Sequence, residues 1–330
     1  MSNRGPLLKV EHLRVEVPTR RGNLVAIDDV SFEIAPGEVL GVVGESGAGK
    51  SLTGAAIIGL LEPPLHIAGG SITLAGRRID TLSYNAMRRV RGKEIGAIFQ
   101  DPLTSLNPLY TVGRQLIETI RTHLDVGPTE ARIRALSLLT EVGIAAADER
   151  IDHYPHQFSG GMRQRVVIAL ALAANPSLII ADEPTTALDV SIQAQIIALL
   201  KRLGRDHGTA IMLITHDMGV IAETAQRIAV MYAGRIVEIG PMRDIVDRPN
   251  HPYTAGLMAS IPRMLGRRTR LQQIDGAMPR LNAIPSGCPF NPRCAKAFHR
   301  CRHEQPRLMP AADSLAACWL YAQAGDPVFA

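Results

Sequence analysis

Gly44-Glu45-Ser46-Gly47-Ala48-Gly49-Lys50-Ser51 fits the pattern G-x-x-x-x-G-K-[ST] of a phosphate-binding loop. Before it, Val39-Leu40-Gly41-Val42-Val43 reads as a short buried strand, and after it the stretch from Leu52 to Leu61 reads as an apolar helix. Strand, glycine-rich loop and helix in that order make a cradle for phosphate. The glycines let the backbone curl so that several N–H groups face inward, and the start of the helix adds partial positive charge. Lys50 is expected to reach the β- and γ-phosphates, and the Ser51 hydroxyl to ligate Mg²⁺. Gly44 through Leu52 is therefore the expected nucleotide-contacting stretch. A chance glycine-rich turn would lack the flanking strand and helix.

Working outward, residues 7 to 43 alternate apolar and polar, with turn signals at Arg21-Gly22-Asn23 and Ala35-Pro36-Gly37, and read as three strands. Another strand, Ser71 to Leu74, lies between Gly69-Gly70 and Gly76, and Ile95 to Phe99 reads as a buried strand ending at Gln100. From Val112 to Ile144 the pattern is helical. Ile133, Leu136, Leu139 and Val142 form its apolar stripe, Arg132 and Arg134 lie on the polar side, and Thr129 is the expected N-cap after Pro128. Ser159 to Ala174 is a helix opened by glycines, and Leu178-Ile179-Ile180-Ala181 is the apolar run of a central parallel strand. A helix from Val190 to Leu203, a strand from Ala210 to Ile214 and a helix near Asp217 to Thr224 complete the pattern. Strands alternating with helices on both sides of the loop predict an α/β fold with a covered parallel sheet. After Gly240-Pro241 the periodicity weakens while prolines and cysteines accumulate, which places a domain boundary near residue 240.

Composition sets outer bounds. With 46% hydrophobic and 20% charged residues in 330, the chain is an ordinary globular one, and with only 4% aromatics its core is aliphatic. The longest apolar run, Val166 to Ala174, is about half of what spans a bilayer, and MSNRGPLLKV lacks the apolar stretch of a signal peptide. A cytoplasmic protein is expected. The net charge of +5 is mostly dispersed, with one denser cluster at Arg263, Arg267, Arg268 and Arg270. All four cysteines, Cys288, Cys294, Cys301 and Cys318, lie near the C-terminus. In a cytosolic protein such a group points to metal before disulfides.

The second chemical feature is Asp182-Glu183, at the end of the apolar run from Leu178. Asp182 is placed to hold Mg²⁺, directly or through water, and Glu183 to act as general base toward an attacking water. With these residues in hand the chain resembles the nucleotide-binding subunits of ABC transporters, over about residues 7 to 240. Phe99-Gln100-Asp101-Pro102 looks like the Q-loop, and Phe158-Ser159-Gly160-Gly161-Met162-Arg163-Gln164 like the family signature that follows a helical subdomain. Asp182-Glu183-Pro184, the D-loop-like Ala187-Leu188-Asp189 and the switch segment Thr215-His216-Asp217 follow in the family's order.

The resemblance implies roles. Gln100 would touch Mg²⁺ or the attacking water and report nucleotide state to the helical subdomain. Ser159, Gly160 and Gly161 would reach the γ-phosphate of a nucleotide held by an opposite subunit, with Asp189 at that dimer interface. His216 would contact the γ-phosphate. The expected domains are an ABC ATPase domain over 1–240, with its helical subdomain at about 101–160, and an extension over 241–330. Two departures stand out. Met162 replaces the commoner glutamine of the signature. No aromatic residue precedes Phe32 to stack on adenine, which leaves Arg20, Arg21 or Val25 for that task.

Asn250-His251-Pro252-Tyr253-Thr254, Gly287-Cys288-Pro289-Phe290-Asn291-Pro292-Arg293-Cys294 and Asp101-Pro102-Leu103-Thr104-Ser105-Leu106-Asn107-Pro108 resemble segments of dipeptide/oligopeptide-type importers. The implied role is an ATPase subunit powering peptide uptake at the cytoplasmic face of a bacterial inner membrane. Its implied partners are a second, related ATPase subunit, two membrane permeases and an extracytoplasmic solute-binding protein, with no nucleic acid. Nickel or another small solute remains an alternative cargo. A soluble ABC ATPase acting on DNA or the ribosome is the other class. Residues 101 to 158 are too short for a DNA-repair coiled coil, and the chain has one cassette where ribosome-acting types usually have two.

The cysteines are spaced C-x5-C-x6-C-x16-C, without the close pair usual for structural zinc. Four thiolates can ligate a [4Fe–4S] cluster. That cluster is the favoured expectation, and zinc and free thiols stay open.

Overall fold

Alternation of apolar and polar residues from Leu8 to Ile34 produces two long strands, Leu8–Thr19 and Gly22–Ile34. The buried side chains run Leu8, Val10, then Leu13, Val15. The shift of phase falls at His12, whose φ of 49° places it in the left-handed region and turns the following residues to the other face. The computed structural model describes residues 5–20, 22–186, 188–260 and 273–322. The turn residue Arg21, the Ala187 of the D-loop-like segment and the basic cluster Arg263, Arg267, Arg268 and Arg270 lie outside them.

The chain forms two compact units, each built from separated segments. One comprises Met1–Leu8, Ile34–Val39 and Thr73–Ile214. Its centre is three parallel strands, with Leu178–Asp182 hydrogen-bonded to Ile95–Ile98 on one side and Ala210–Ile214 on the other. These strands are short and almost wholly buried, which is why they read as continuous apolar runs. The expected long helical region is two helices, Val112–His123 and Pro128–Glu141. Pro128 is unsuited to a helix interior but fits the first helical turn, so the chain breaks before it, and Gly127 is the N-cap instead of Thr129. The stripe is also shifted. Ala131, Ala135, Leu138 and Leu139 are buried while Ile133 is 64% exposed. Arg134 is not simply solvated, since it donates to the Ala173 carbonyl at 2.7 Å and to Asn175 Oδ1 at 2.7 Å.

The other unit comprises Lys9–Glu33, Leu40–Ile72 and Thr215–Ala330. In one of its sheets Leu8–Thr19 lies between Gly22–Ile34 and His66–Leu74. In the other, Val39–Val43 runs parallel to Arg227–Tyr232, which pairs antiparallel with Arg235–Pro241. The C-terminal segment then adds Ser314–Ala316 and Met309–Ala311. The expected boundary near residue 240 thus falls inside a strand, whose Glu238 and Ile239 pair with Ala316 and Leu315. Among the described residues no helix is long and apolar enough to cross a membrane.

Candidate nucleotide site and the cysteine extension

The phosphate loop follows the fully buried strand Val39–Val43 and leads into the helix Lys50–Ile57. Gly44 has a φ of 153°, and a Cβ there would lie 2.3 Å from the Met231 carbonyl oxygen. No other residue fits. Lys50 is 5% exposed and arches back across the loop, donating to the carbonyls of Gly44 at 2.8 Å and Glu45 at 3.1 Å. Its charge is thereby held in the bend. The helix N-cap, Gly49, supplies no side chain to its first N–H groups, and Ser51 is exposed. A curled backbone, a buried ammonium and an uncapped helix start together fit a polyphosphate.

On the same unit His216 is exposed, between the buried Thr215 and the helix Met218–Thr224. Two contacts fix its backbone. The Thr215 N–H donates to the Val42 carbonyl at 3.2 Å, and Asp217 caps the helix by accepting from Gly219 and Val220 N–H at 2.8 and 3.2 Å. Of the residues considered for adenine, Arg20 is exposed and Val25 half-buried.

In the unit of parallel strands, Asp182 ends the strand Leu178–Asp182 and Glu183 makes the turn after it, with a φ of 47°. That conformation is uncommon for a residue with a side chain and is held here by the Glu183 N–H donating to the Ile214 carbonyl at 2.8 Å. Because Ile98 is paired with Ala181, Gln100 and Glu183 emerge side by side. Gln100 Nε2 donates to Glu183 Oε2 at 3.1 Å, and Thr186 Oγ1 donates to the same oxygen at 2.8 Å. Two donors therefore aim one carboxylate.

The signature segment sits at a helix start. Ser159 caps Gly160–Leu172 by accepting from the Met162 N–H at 3.4 Å, and Ser159 and Gly160 are exposed. A Cβ on Gly161 would lie 2.7 Å from Ile192 Cγ2, so glycine there lets the helix Val190–His207 approach. Asp189 is the exposed N-cap residue of that helix and makes no side-chain capping bond.

All four cysteines line one small cavity, together with Phe290 and Trp319. None is in a disulfide. Burial, with the nearby Cys301, Cys318 and Cys294 adding to it, pushes the Cys288 thiol up to about 12, and burial also raises Cys294 and Cys318. Yet among the described residues no group of three or more His, Cys, Asp or Glu is disposed to hold a metal ion. Neither the iron–sulfur nor the zinc expectation gains metal-ligand geometry from it.

Sequence reasoning missed what anchors this extension. Glu238 is 0% exposed and accepts from the Asn250 N–H at 2.8 Å, the His251 N–H at 2.9 Å and Ser314 Oγ at 3.2 Å. A charged residue inside the apolar run of Arg235–Pro241 was the available signal. His251 is fully enclosed, and burial lowers it to about 3, so its ring stays neutral and accepts from the Tyr253 N–H at 3.1 Å. Arg293 was missed too. It forms a two-pronged ion pair with Glu45, at 2.9 and 3.0 Å.

The built phosphate loop of one unit and the oriented glutamate of the other are each features of a P-loop ATPase, and comparison with known proteins agrees. Residues 27–186 match the family model described as ABC transporter, and residues 237–301 the one described as oligopeptide/dipeptide transporter, C-terminal region. The dipeptide transport ATP-binding protein DppD of Bacillus subtilis is 47% identical over 322 residues, covering 97% of this chain and 96% of its own. Its Haemophilus influenzae namesake is 48% identical over 303 residues, covering 92% of each. Among solved structures, the ATP-binding cassette MJ0796, as a post-hydrolysis dimer bound to ADP and Pi, superposes with a TM-score of 0.64 at 29% identity, over 72% of this chain and 99% of that one. CbiO1 from Clostridium perfringens, part of an ABC transporter complex, gives 0.64 at 28%, over 74% and 91%. The chain belongs to the ATP-binding proteins of the ABC transporter family, and it is an ATPase.

Proposed function

We propose that this chain is the ATP-hydrolysing subunit of an importer for di- or oligopeptides, bound peripherally at the cytoplasmic face of the cell membrane. The observation that carries the reading is the joint presence of a built phosphate loop and a C-terminal region of the oligopeptide/dipeptide transporter type. The names of the Bacillus and Haemophilus relatives support peptide as cargo. We place the division between ATPase domain and extension near residue 240, close to residue 237, where the match to the oligopeptide/dipeptide transporter C-terminal region begins.

In this reading Lys50 and the loop N–H groups bind the β- and γ-phosphates. Ser51, Asp182 and Gln100 offer oxygen donors of the kind Mg²⁺ takes, and the ion neutralises phosphate charge when bound. Glu183, aimed by Gln100 and Thr186, takes the proton of the water that attacks the γ-phosphorus as ADP leaves. His216 donates to the γ-phosphate. Ser159, Gly160 and Gly161 present an exposed helix start to nucleotide on a second ATPase subunit, a related chain, and Asp189 lies at that contact. The exposed Phe99 and Leu109, flanking Gln100 to Asn107, suit docking of the two permeases. A solute-binding protein delivers the cargo. The test is reconstitution with these partners in vesicles. ATP-dependent uptake of a labelled dipeptide supports the assignment, and uptake of nickel without dipeptide overturns the cargo.

For the cysteines we propose a structural [4Fe–4S] cluster held by Cys288, Cys294, Cys301 and Cys318. Their shared cavity supports it. Bound thiolates would take their charge compensation from the metal centre. Anaerobic purification with iron, sulfide and zinc analysis tests this. About four irons per chain support the cluster, whereas zinc or no metal rejects it.

A further inference from the structure

The extension reaches into the phosphate loop at Glu45. Its backbone N–H donates to the Tyr253 hydroxyl at 2.9 Å, and its carboxylate pairs with Arg293. Its carbonyl accepts from Lys50 Nζ. Glu45 thus stands between the loop lysine and two side chains more than 200 residues further along the chain.

Arg293 is held for this task. Its side chain is 8% exposed, and its donors are engaged all round the guanidinium. Nε donates to the Asp275 carbonyl at 2.8 Å, Nη1 to Glu45 and more distantly to Tyr232, and Nη2 to Glu45 with the Ile274 and Gly276 carbonyls at 3.4 Å. The Tyr232 and Phe290 rings flank it at 5.8 and 5.9 Å. A planar fork fits this setting, and a lysine would serve only part of it. Arg293 neutralises a carboxylate on a loop that must accept the negative charge of a polyphosphate. By fixing Glu45 it also fixes one of the two carbonyls that place the Lys50 ammonium.

We propose that Arg293 and Tyr253 are positioning residues of the phosphate loop, through which the C-terminal extension sets the affinity for ATP. The proposal rests on the phosphate-loop reading above.

The test is calorimetric binding of Mg-ATP to the purified full chain. Arg293→Ala should weaken binding about tenfold, as for loss of a charge-assisted pair, with Arg293→Lys intermediate. In the Glu45→Gln background, which has no carboxylate to neutralise, Arg293→Ala should cost no more than about threefold. In the assembled transporter the KM for ATP should rise while kcat stays within about twofold. Should Arg293→Ala not fold, Arg293→Lys carries the same comparison, while Tyr253→Phe, which removes the acceptor of the Glu45 backbone N–H, should weaken binding with or without the carboxylate. Binding by these variants within about twofold of native, or an equal loss by the Arg293 variants with and without the Glu45 carboxylate, overturns the proposal. Lys50→Ala separates the two ideas. If it binds ATP like the native chain, the loop reading itself is wrong. If it is weakened while the Arg293 and Tyr253 variants are not, only the present proposal fails.

Discussion

The phosphate loop and the cysteine extension are built on opposite plans. The loop is local. Within eight residues it has its strand exit, its bend and its lysine, and backbone carbonyls do most of the holding. The extension is assembled from remote pieces: a glutamate at 238, backbone amides at 250 and 251, a serine at 314 and an arginine at 293. A local device is sensitive to backbone freedom and visible as a motif. A distributed one is sensitive to single polar atoms and leaves almost no pattern.

The sharpest test of the local plan is chemical. Glu183→Gln, measured in the assembled transporter, should lower turnover by about 10² to 10⁴, the range for a lost general base. ATP binding should persist, since no phosphate ligand is removed. Hydrolysis within several-fold of native would break the assignment. Next comes Gly44→Ala, which adds one methyl group against the Met231 carbonyl. It should reduce ATP affinity by about tenfold or more, through strain of about 1 to 3 kcal/mol that opens the bend. If the distributed plan is right, Glu238→Ala strands three donors, two of them backbone, and should cost about 2 to 4 kcal/mol in a thermal melt. A loss below about 0.5 kcal/mol would mean that the extension is held by something else. The smallest effect belongs to Ile133→Thr. The apolar stripe read from sequence would make it a core lesion, whereas its exposure predicts a change within about 0.5 kcal/mol.

These contrasts mark how far the sequence could be read. The strands Leu178–Asp182 and Ala210–Ile214 were legible because burial on both faces leaves unbroken apolar runs. The start of the helix Gly160–Leu172 was legible to within a residue from its opening glycines, though the Ser159 cap was not read. The helix start at Pro128 was legible to within two residues, because the N-cap expected at Thr129 lies just past the Gly127 cap. Ile133 misleads because a four-residue repeat of small alanines, Ala131 and Ala135, carries the packing that the larger side chains suggest for themselves. The strand Arg227–Tyr232 and the helices Met242–Asp247 and Pro252–Ala259 went unseen beside stronger motifs. Nothing near Arg293 in the chain announces Glu45, since only the fold makes them neighbours.

The pairing of Arg235–Pro241 with Ser314–Ala316 bears on how such a chain can be cut or joined. A chain truncated after the cassette would bare the amide edge of a nearly all-buried strand, with the Glu238 carboxylate orphaned on it. Such edges recruit other strands, so the shortened protein should precipitate or pair with itself instead of behaving as a smaller ATPase. The C-terminal segment acts as a hem, and swaps between relatives should carry it together with the strand it finishes.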